Sequence, residues 1–132
     1  MKSINRPAEP VGELTLQTVA MPKDVNPNGD IFGGWLLSQM DIAGGVLAKR
    51  FSKGRVATVA ISEMAFLRPV PVGSLVSCYT SLLEVGRTSM RINIEVWIDH
   101  NDDENENAKV TEGDFVYVAI TDEGTTRPVE PK

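Results

Sequence analysis

The chain has 132 residues, 42% of them hydrophobic, with 18 acidic against 13 basic side chains and a net charge of −5. This length and composition predict one soluble globular domain with a single core. The acidic balance argues against a nucleic-acid backbone or an anionic membrane as partner, and no stretch approaches the ~20 apolar residues that span a bilayer.

The N-terminal segment and the cysteine content bear on location. Residues 1–10 include Pro7 and Pro10, lack the apolar core of a signal peptide, and are expected to form a loose arm. Cys78 is the only cysteine, so the chain cannot form an internal disulfide. We therefore expect a cytoplasmic protein.

The first half of the chain predicts a strand and one long helix. Polar and apolar residues alternate over 13–21, which favours a strand, and the turn dipeptide Asn28-Gly29 lies in the loop that follows. Residues 34–51 carry apolar side chains at helical spacing, and Asp41 lies at the edge of that apolar stripe. The residues expected to share the apolar face are Leu36, Leu37, Met40, Ala43, Gly44, Leu47 and Phe51.

The second half has the period of two that is typical of strands. Residues 56–61 place apolar side chains on both faces of the predicted strand, so we expect this strand to be buried on both sides. A polar hairpin loop is expected at 101–108 and a Pro-containing tail at 122–132. Strands are predicted over 55–68, 74–85, about 87–98 and 109–121. The third of these has an apolar face, formed by Met90, Ile92, Ile94, Val96 and Ile98, and a polar face, formed by Arg87, Ser89, Arg91, Asn93 and Glu95. One helix followed by consecutive strands predicts an α+β fold in which a curved antiparallel sheet wraps around the helix. A single helix leaves part of the apolar surface of the sheet uncovered, which favours dimerisation.

Several kinds of chemistry find no support in the sequence. The only histidine, His100, begins the polar loop, and no Gly-x-Ser-x-Gly elbow, Walker motif or dinucleotide motif is present. Cys78 lies mid-strand and is expected in the core. No Cys and His cluster could hold zinc, and Glu104 replaces the glycine that a calcium loop starting at Asp99 would need. We therefore predict no metal and no cofactor.

Asp41 and the start of its helix are the strongest candidates for catalysis. A carboxylate on the rim of an apolar helix face can act as a general base for water or as a nucleophile. The N–H groups of Gly33, Gly34 and Trp35 have no intrahelical acceptor and could stabilise an oxyanion. Two alternatives stay open: Asp41 as a surface charge paired with Lys49 or Arg55, and the glycines as ordinary turn residues.

Two other groups have both a functional and a structural interpretation. Asp30 could be a polar group at the rim of the same pocket or the N-cap of the helix. Arg87, Ser89 and Arg91 share a strand face, where two guanidinium groups could hold phosphates or could pair with glutamates across the sheet.

Taken together, ordered segments over most of the chain resemble the YciA-type acyl-CoA thioesterases, which have the hotdog fold. The resemblance rests on Ala-Met-Pro-Lys-Asp at 20–24, Asn-Pro-Asn-Gly-Asp-Ile-Phe-Gly-Gly-Trp at 26–35, Ser-Gln-Met-Asp at 38–41, Gly-Arg-Val-Ala-Thr-Val-Ala at 54–60, the two prolines within 66–73, and Val-Gly-Arg-Thr-Ser at 85–89. It implies a single hotdog domain over 1–132 that hydrolyses acyl-CoA to a free acid and CoA.

The resemblance also implies roles for individual residues. Asp41 is the essential acid, the Gly34 N–H polarises the thioester carbonyl, and Asp30 lies with this catalytic group. The pocket lies between two subunits, so a homodimer is the catalytic unit, often within a trimer of dimers. No cofactor is implied, since coenzyme A is part of the substrate. The residues implied to bind substrate and CoA are Asn28, Phe32 and Gly33, then Arg55, Val56, Ala57, Thr58, Val59 and Ala60 along the pantetheine, and Arg87, Thr88 and Ser89 near the phosphates.

Three rival functions also have to be weighed against the sequence. A hydratase or dehydratase of the same fold typically uses a pocket histidine, for which His100 is badly placed. A non-catalytic acyl-CoA-binding module would gain little from a carboxylate beside a thioester. A purely structural oligomer subunit would leave the Gly33-Gly34 entrance without a purpose.

Overall fold

A computed structural model describes residues 9–25, 27–31, 33–100 and 106–129 of the chain. Within these residues, strand β1 (Glu13–Val19) and a short 3-10 turn (Pro22–Asp24) precede helix α1 (Gly33–Ser52). Four strands follow: β2 (Val56–Ile61), β3 (Leu75–Val85), β4 (Ser89–His100) and β5 (Glu106–Ala119). The predicted order of one strand, one long helix and four further strands is confirmed.

The strands form one antiparallel sheet in the order β1-β3-β4-β5-β2, with α1 packed against it. Strands β3, β4 and β5 pair in sequence order, whereas β2 joins the far side of β5 and becomes an edge. The described part of the chain therefore has the helix-on-sheet architecture that the sequence predicted.

Helix α1 faces the sheet with a row of residues spaced four apart. Met40, Gly44, Ala48 and Ser52 are all buried, as are Leu36 and Ala43 beside them. Phe51 was predicted on this face, and that prediction is wrong, because its side chain is 37% exposed. The i, i+4 row reaches Ser52 in the last turn and turns Phe51 away from the sheet.

The prediction that the 56–61 strand is buried on both sides is also wrong for the single chain. Val59 is 57% exposed and Ile61 is 43% exposed. Strand β2 pairs with β5 along one side only, so its apolar residues lie at an open edge of the sheet. An exposed apolar edge strand is a surface that another chain can cover.

Strand β4 has the predicted inner face. Met90, Ile92, Ile94, Val96 and Ile98 are buried against α1 and the neighbouring strands. The predicted polar loop falls mainly on 101–105, which lie outside the described residues, and β5 already begins at Glu106.

The other face of β4 is covered in part by the segment before β1. Glu95 was predicted on the polar face but is buried. Its Oε1 accepts hydrogen bonds from Trp97 Nε1 at 2.8 Å and from the Val11 backbone N–H at 3.2 Å. Of the predicted N-terminal arm, residues 1–8 lie outside the described residues.

The segment after β5 is packed against the domain. Arg127 donates to the backbone oxygens of Ile120 and Ser52, at 3.0 and 3.1 Å, and of Arg55, at 3.3 Å. Val129 is buried in the core, and its N–H donates to the Arg87 oxygen at 2.9 Å. Residues 122–129 of the predicted tail thus connect the end of α1 with the start of β2 and the turn before β4.

Candidate active site

Asp41 lies two turns into α1, where β2 runs back alongside the helix. Its Oδ1 accepts a 2.6 Å hydrogen bond from Thr58 Oγ1 on β2 and a 3.1 Å hydrogen bond from the Tyr117 hydroxyl on β5. The same hydroxyl lies 2.9 Å from the Asp41 backbone oxygen. Two hydroxyl groups from two strands therefore hold one oxygen of this half-buried carboxylate.

The second oxygen of Asp41 is not engaged in the same way. Among the residues that the structure describes, none donates a hydrogen bond to Oδ2, and no basic side chain forms an ion pair with Asp41. Arg55, one of the suggested partners, instead donates to the backbone oxygens of Thr121 and Asp122, at 3.3 and 2.7 Å. Within the described residues, neutral donors orient the carboxylate through Oδ1 alone.

Tyr117 is the site residue that sequence reasoning missed. It faces α1 from the inner side of β5, and the alternation of β5 together with the glycines at 44 and 45 was the available signal. A buried tyrosine hydroxyl needs a hydrogen-bond partner, which a close-packed helix can supply. Burial, reinforced by the Asp41 charge, raises the pKa of Tyr117, so its hydroxyl stays protonated and remains a donor.

The start of α1 has the open backbone that an oxyanion site requires. Gly33 and Gly34 are exposed, and the first turn contains no acidic side chain. A β-carbon at Gly34 would meet no atom within 4 Å, whereas one at Gly33 would lie 3.3 Å from the Phe66 ring. The Gly34 position is thus accessible to a ligand from outside the helix.

A groove of about 320 Å³ lies beside these glycines. Most of its wall is apolar. Residues of α1, of the end of β2 and of the segment after β2 form this wall. The lining residues are Gly33, Gly34, Leu37, Ile61, Ser62, Met64 and Phe66. Such a groove at a helix N-terminus can accept an apolar chain whose carbonyl lies at the backbone N–H groups.

The structure does not bring Gly34 and Asp41 together within one chain. Seven residues separate them on a continuous helix. At the rise of an α-helix this corresponds to about 10 Å along the axis. A single carbonyl cannot contact both groups of the same chain.

The loop before α1 carries the other predicted catalytic residue. Asp30 is half-buried, its backbone bridges to Pro71, and it lines a second cavity of about 380 Å³ together with Arg68. Asn28 is exposed in the preceding turn. Phe32 lies outside the described residues. The predicted roles of these three residues stay predictions.

The residues predicted along the pantetheine lie on β2 and just before it. Val56 and Ala57 are half-buried, Val59 and Ala60 are exposed, and Thr58 contacts Asp41 as described above. Thr58 therefore donates a hydrogen bond to Asp41. Its place on the substrate path stays a prediction.

The predicted phosphate-binding turn lies near the start of β2. Ala119 and Ile120 are consecutive, and their N–H groups donate to the Thr88 and Arg55 oxygens respectively, both at 2.9 Å. The side chain of Arg87 is exposed and forms no ion pair with a described residue. Arg55 and Arg87 thus lie at the same end of the domain, a proximity that the sequence did not reveal.

Arg91 has the structural role that was the alternative to phosphate binding. Its guanidinium group lies 2.6 Å from Glu84 and 3.0 Å from Asp114, and these two carboxylates raise the pKa of Arg91. Ser89 lines a small cavity between Glu84 and Arg91. Of these two guanidinium groups, that of Arg91 is paired across the strands, whereas that of Arg87 forms no ion pair with a described residue.

The described ranges contain neither a candidate metal cluster nor a candidate membrane-spanning helix. No group of three or more His, Cys, Asp or Glu side chains there could hold a metal ion, and none of the helices there is long and apolar enough to cross a membrane. Catalysis without a cofactor stays a prediction.

Comparisons with known proteins identify the family of this chain. Residues 28–104 match the model of the thioesterase superfamily. The chain is 54% identical over 125 residues to the acyl-CoA thioester hydrolase YciA of Escherichia coli K12, covering 92% of this chain and 95% of that protein.

Two solved structures extend the likeness to the fold. The hexameric thioesterase y2039 from Yersinia pestis superposes with a TM-score of 0.86 at 50% identity, covering 92% of this chain and 98% of that one. A hexameric hotdog fold thioesterase of Campylobacter jejuni gives 0.84 at 40% identity, covering 89% and 90%. The chain therefore belongs to the thioesterase superfamily and, within it, to the YciA-type acyl-CoA thioester hydrolases with the hotdog fold.

Proposed function

We propose that this protein hydrolyses acyl-CoA thioesters to a free carboxylic acid and CoA, with Asp41 as the reacting carboxylate. The observation that carries the proposal is the arrangement at Asp41, whose Oδ1 is held by Thr58 and Tyr117 while Oδ2 has no donor among the described residues. The YciA relative with 54% identity is named for the same reaction.

The proposed chemistry follows from these two oxygens. Asp41 Oδ2 either removes a proton from water as the water oxygen attacks the thioester carbon, or attacks that carbon itself to form an acyl-aspartyl anhydride that water then cleaves. In both routes the carbon–sulfur bond breaks and CoA leaves as a thiolate that is then protonated. The hydrogen bonds to Oδ1 orient the carboxylate without neutralising its charge.

The negative charge that develops on the carbonyl oxygen needs its own donor. We assign this role to the Gly34 N–H at the start of α1, where the helix dipole also favours negative charge. Because Gly34 and Asp41 of one chain are about 10 Å apart along the helix axis, the Gly34 group must come from a second copy of the chain.

We infer that the catalytic unit is a homodimer, with the open edge of β2 as the contact. Val59 and Ile61 expose apolar side chains on this edge, and Val59 directly follows Thr58 in the sequence. The two solved relatives are described as hexameric, which supports a trimer of such dimers.

CoA is proposed to lie along β2 toward the end of the domain that carries Arg55 and Arg87. An exposed guanidinium group at residue 87 suits a phosphate oxygen. The substrate supplies coenzyme A itself, so the proposed reaction uses no separate cofactor. We propose a cytoplasmic location, where acyl-CoA would be available.

Release of free thiol from short-, medium- and long-chain acyl-CoAs tests the proposal, with wild type compared with Asp41→Asn. The amide keeps the shape of the carboxylate but cannot act as base, so kcat should fall at least ~100-fold. If wild type releases no thiol from any acyl-CoA yet binds CoA, the protein is an acyl-CoA-binding module and Asp41 is a structural charge.

A single turnover in water labelled with oxygen-18 separates the two routes. If Asp41 is the nucleophile and water opens the anhydride at the aspartyl carbon, the label enters the aspartate carboxylate and the first molecules of acid carry unlabelled oxygen from the enzyme. If Asp41 is the general base, the label appears only in the released acid and hydroxylamine traps no acyl-enzyme, whereas an anhydride that water opens at its acyl carbon would be trapped. Mass spectrometry of the product and of the peptide containing Asp41 distinguishes them.

A further inference from the structure

The apolar groove beside Gly34 begins where the thioester carbonyl is proposed to bind. Its walls are Leu37 of α1, Ile61 at the end of β2, and Met64 and Phe66 from the segment after β2. An acyl chain whose carbonyl oxygen contacts the Gly34 N–H would extend into this groove. This placement rests on the proposed function.

Met64 lies in the position that a side chain of β5 would otherwise fill. Gly113 of β5 pairs with the buried Ile94 of β4 and so faces the inside of the sheet. A β-carbon at Gly113 would lie 2.7 Å from both Cγ and Sδ of Met64. The missing side chain leaves a recess in the sheet, and the Met64 thioether fills it.

The backbone on both sides of Met64 is anchored to β5. The Ser62 N–H donates to the Asp114 oxygen at 2.9 Å, and the Asp114 N–H donates to Ser62 Oγ at 2.9 Å. On the other side, Thr111 Oγ1 donates to the Ala65 oxygen at 2.7 Å. The segment therefore has a set register on β5, and Met64 is held over Gly113.

These contacts place one residue pair, Met64 on Gly113, in the wall of the groove. The wall at this point is a flexible thioether that rests on a glycine. We propose that Met64, seated on Gly113, limits the acyl-chain length that this protein accepts. Straight apolar acyl chains are the substrate class that fits this wall.

Two substitutions should move the limit in opposite directions. Met64→Ala removes the thioether and deepens the groove, so kcat/KM for long chains should rise relative to short ones, by about 4-fold for each further methylene buried. Gly113→Ala adds a carbon under Met64 and pushes the thioether into the groove, so the preference should move to shorter chains.

The measurement is kcat/KM for a series of straight-chain acyl-CoAs from acetyl to palmitoyl, expressed as ratios within each variant. Ratios cancel any general loss of folded or active protein. Met64→Leu keeps a similar volume and should leave the profile within about 2-fold of wild type. Leu83→Ala removes an exposed leucine of β3 outside the groove lining and should leave the profile unchanged.

The outcomes separate the two proposals. If wild type hydrolyses no acyl-CoA, the proposed function is wrong and this inference is wrong with it. If wild type is active but Met64→Ala and Gly113→Ala keep its chain-length profile, or move it in the same direction, only the role of Met64 is wrong. If Gly113→Ala does not fold, Met64→Phe replaces it, and the same shift to shorter chains is expected.

Discussion

The hydroxyl of Tyr117 lies in the space that a β-carbon at residue 44 would occupy, so this tyrosine reaches helix α1 only because residue 44 is glycine. From that position the hydroxyl contacts the backbone oxygen and Oδ1 of Asp41, at 2.9 and 3.1 Å. A glycine on the packed face of the helix is thereby tied to the geometry of the candidate catalytic carboxylate.

Gly44→Ala should lower the stability of the fold, although alanine favours helices. Its β-carbon would overlap the Tyr117 hydroxyl and lie 2.7 Å from Ile94 Cδ1, and overpacking of this kind costs about 1–3 kcal/mol. Gly45→Ala is the matched control, because its nearest neighbour outside the helix, Tyr117 Cε2, would be 3.8 Å away. That variant should gain up to about 1 kcal/mol from helix propensity.

Urea unfolding of the two variants beside wild type measures this difference. Gly44→Ala should also lose activity, because Tyr117 must move away from Asp41. Equal stabilities for Gly44→Ala and Gly45→Ala would contradict the close contact between Tyr117 and the helix.

Tyr117→Phe should lower kcat about 10- to 100-fold, since a hydrogen bond to a charged group contributes roughly 1.5–3 kcal/mol. KM should change little, because Tyr117 contacts Asp41 and is not on the proposed substrate path. Thr58→Val should have an effect of at least the same size, and Thr58→Ser should restore activity by replacing the hydroxyl.

The double variant tests whether the two hydroxyls act on the same oxygen. Both donate to Asp41 Oδ1, so the combined loss should be smaller than the product of the single losses. Phe115→Leu is the packing control, because Phe115 stacks with Tyr117 at a centroid distance of 6.3 Å but donates no hydrogen bond. If Phe115→Leu lowers kcat as much as Tyr117→Phe, the hydroxyl has no role of its own.

Arg127→Ala should destabilise the domain by about 1.5–3 kcal/mol, the contribution of hydrogen bonds from a charged donor. Its guanidinium group donates to the backbone of Ser52, Arg55 and Ile120, and Ser52 is fully buried. Arg127→Lys should recover only part of the loss, because one ammonium group cannot reach three separate carbonyls in this geometry. Full stability of the alanine variant in urea would show that the Arg127 side chain does not hold the segment after β5.

The Cys78 thiol should not react in the folded protein at about pH 8. Burial raises the pKa of Cys78 from 9.0 to about 12, so the reactive thiolate is scarce in the native state. Because the folded protein holds this proton more tightly than the unfolded chain, this contribution to stability is complete below about pH 9 and is lost as the pH rises from about 9 to about 12.

A thiol reagent provides the measurement for Cys78. One equivalent should react in urea and none in buffer, and the urea midpoint should fall as the pH is raised above about 9. Rapid labelling of the folded protein would show that Cys78 is accessible, and such a thiol would also interfere with any assay of released CoA.

Local sequence patterns correctly predicted features that depend on residues close to one another along the chain. The apolar spacing predicted the helix at 34–51, and the structure has it at Gly33–Ser52. The alternation of Met90 to Ile98 predicted the inner face of β4. The same patterns misplaced Phe51 and the burial of β2, because apolar character does not show which strand becomes the edge of the sheet.

By itself, the sequence determined the order of the elements, the family, and Asp41 as the carboxylate to consider. Only the tertiary structure decided what surrounds that carboxylate. Thr58 and Tyr117 lie 17 and 76 residues away in sequence, and Met64 meets Gly113 across 49 residues. Such contacts depend on strand order and register, which side-chain periodicity within one segment does not specify.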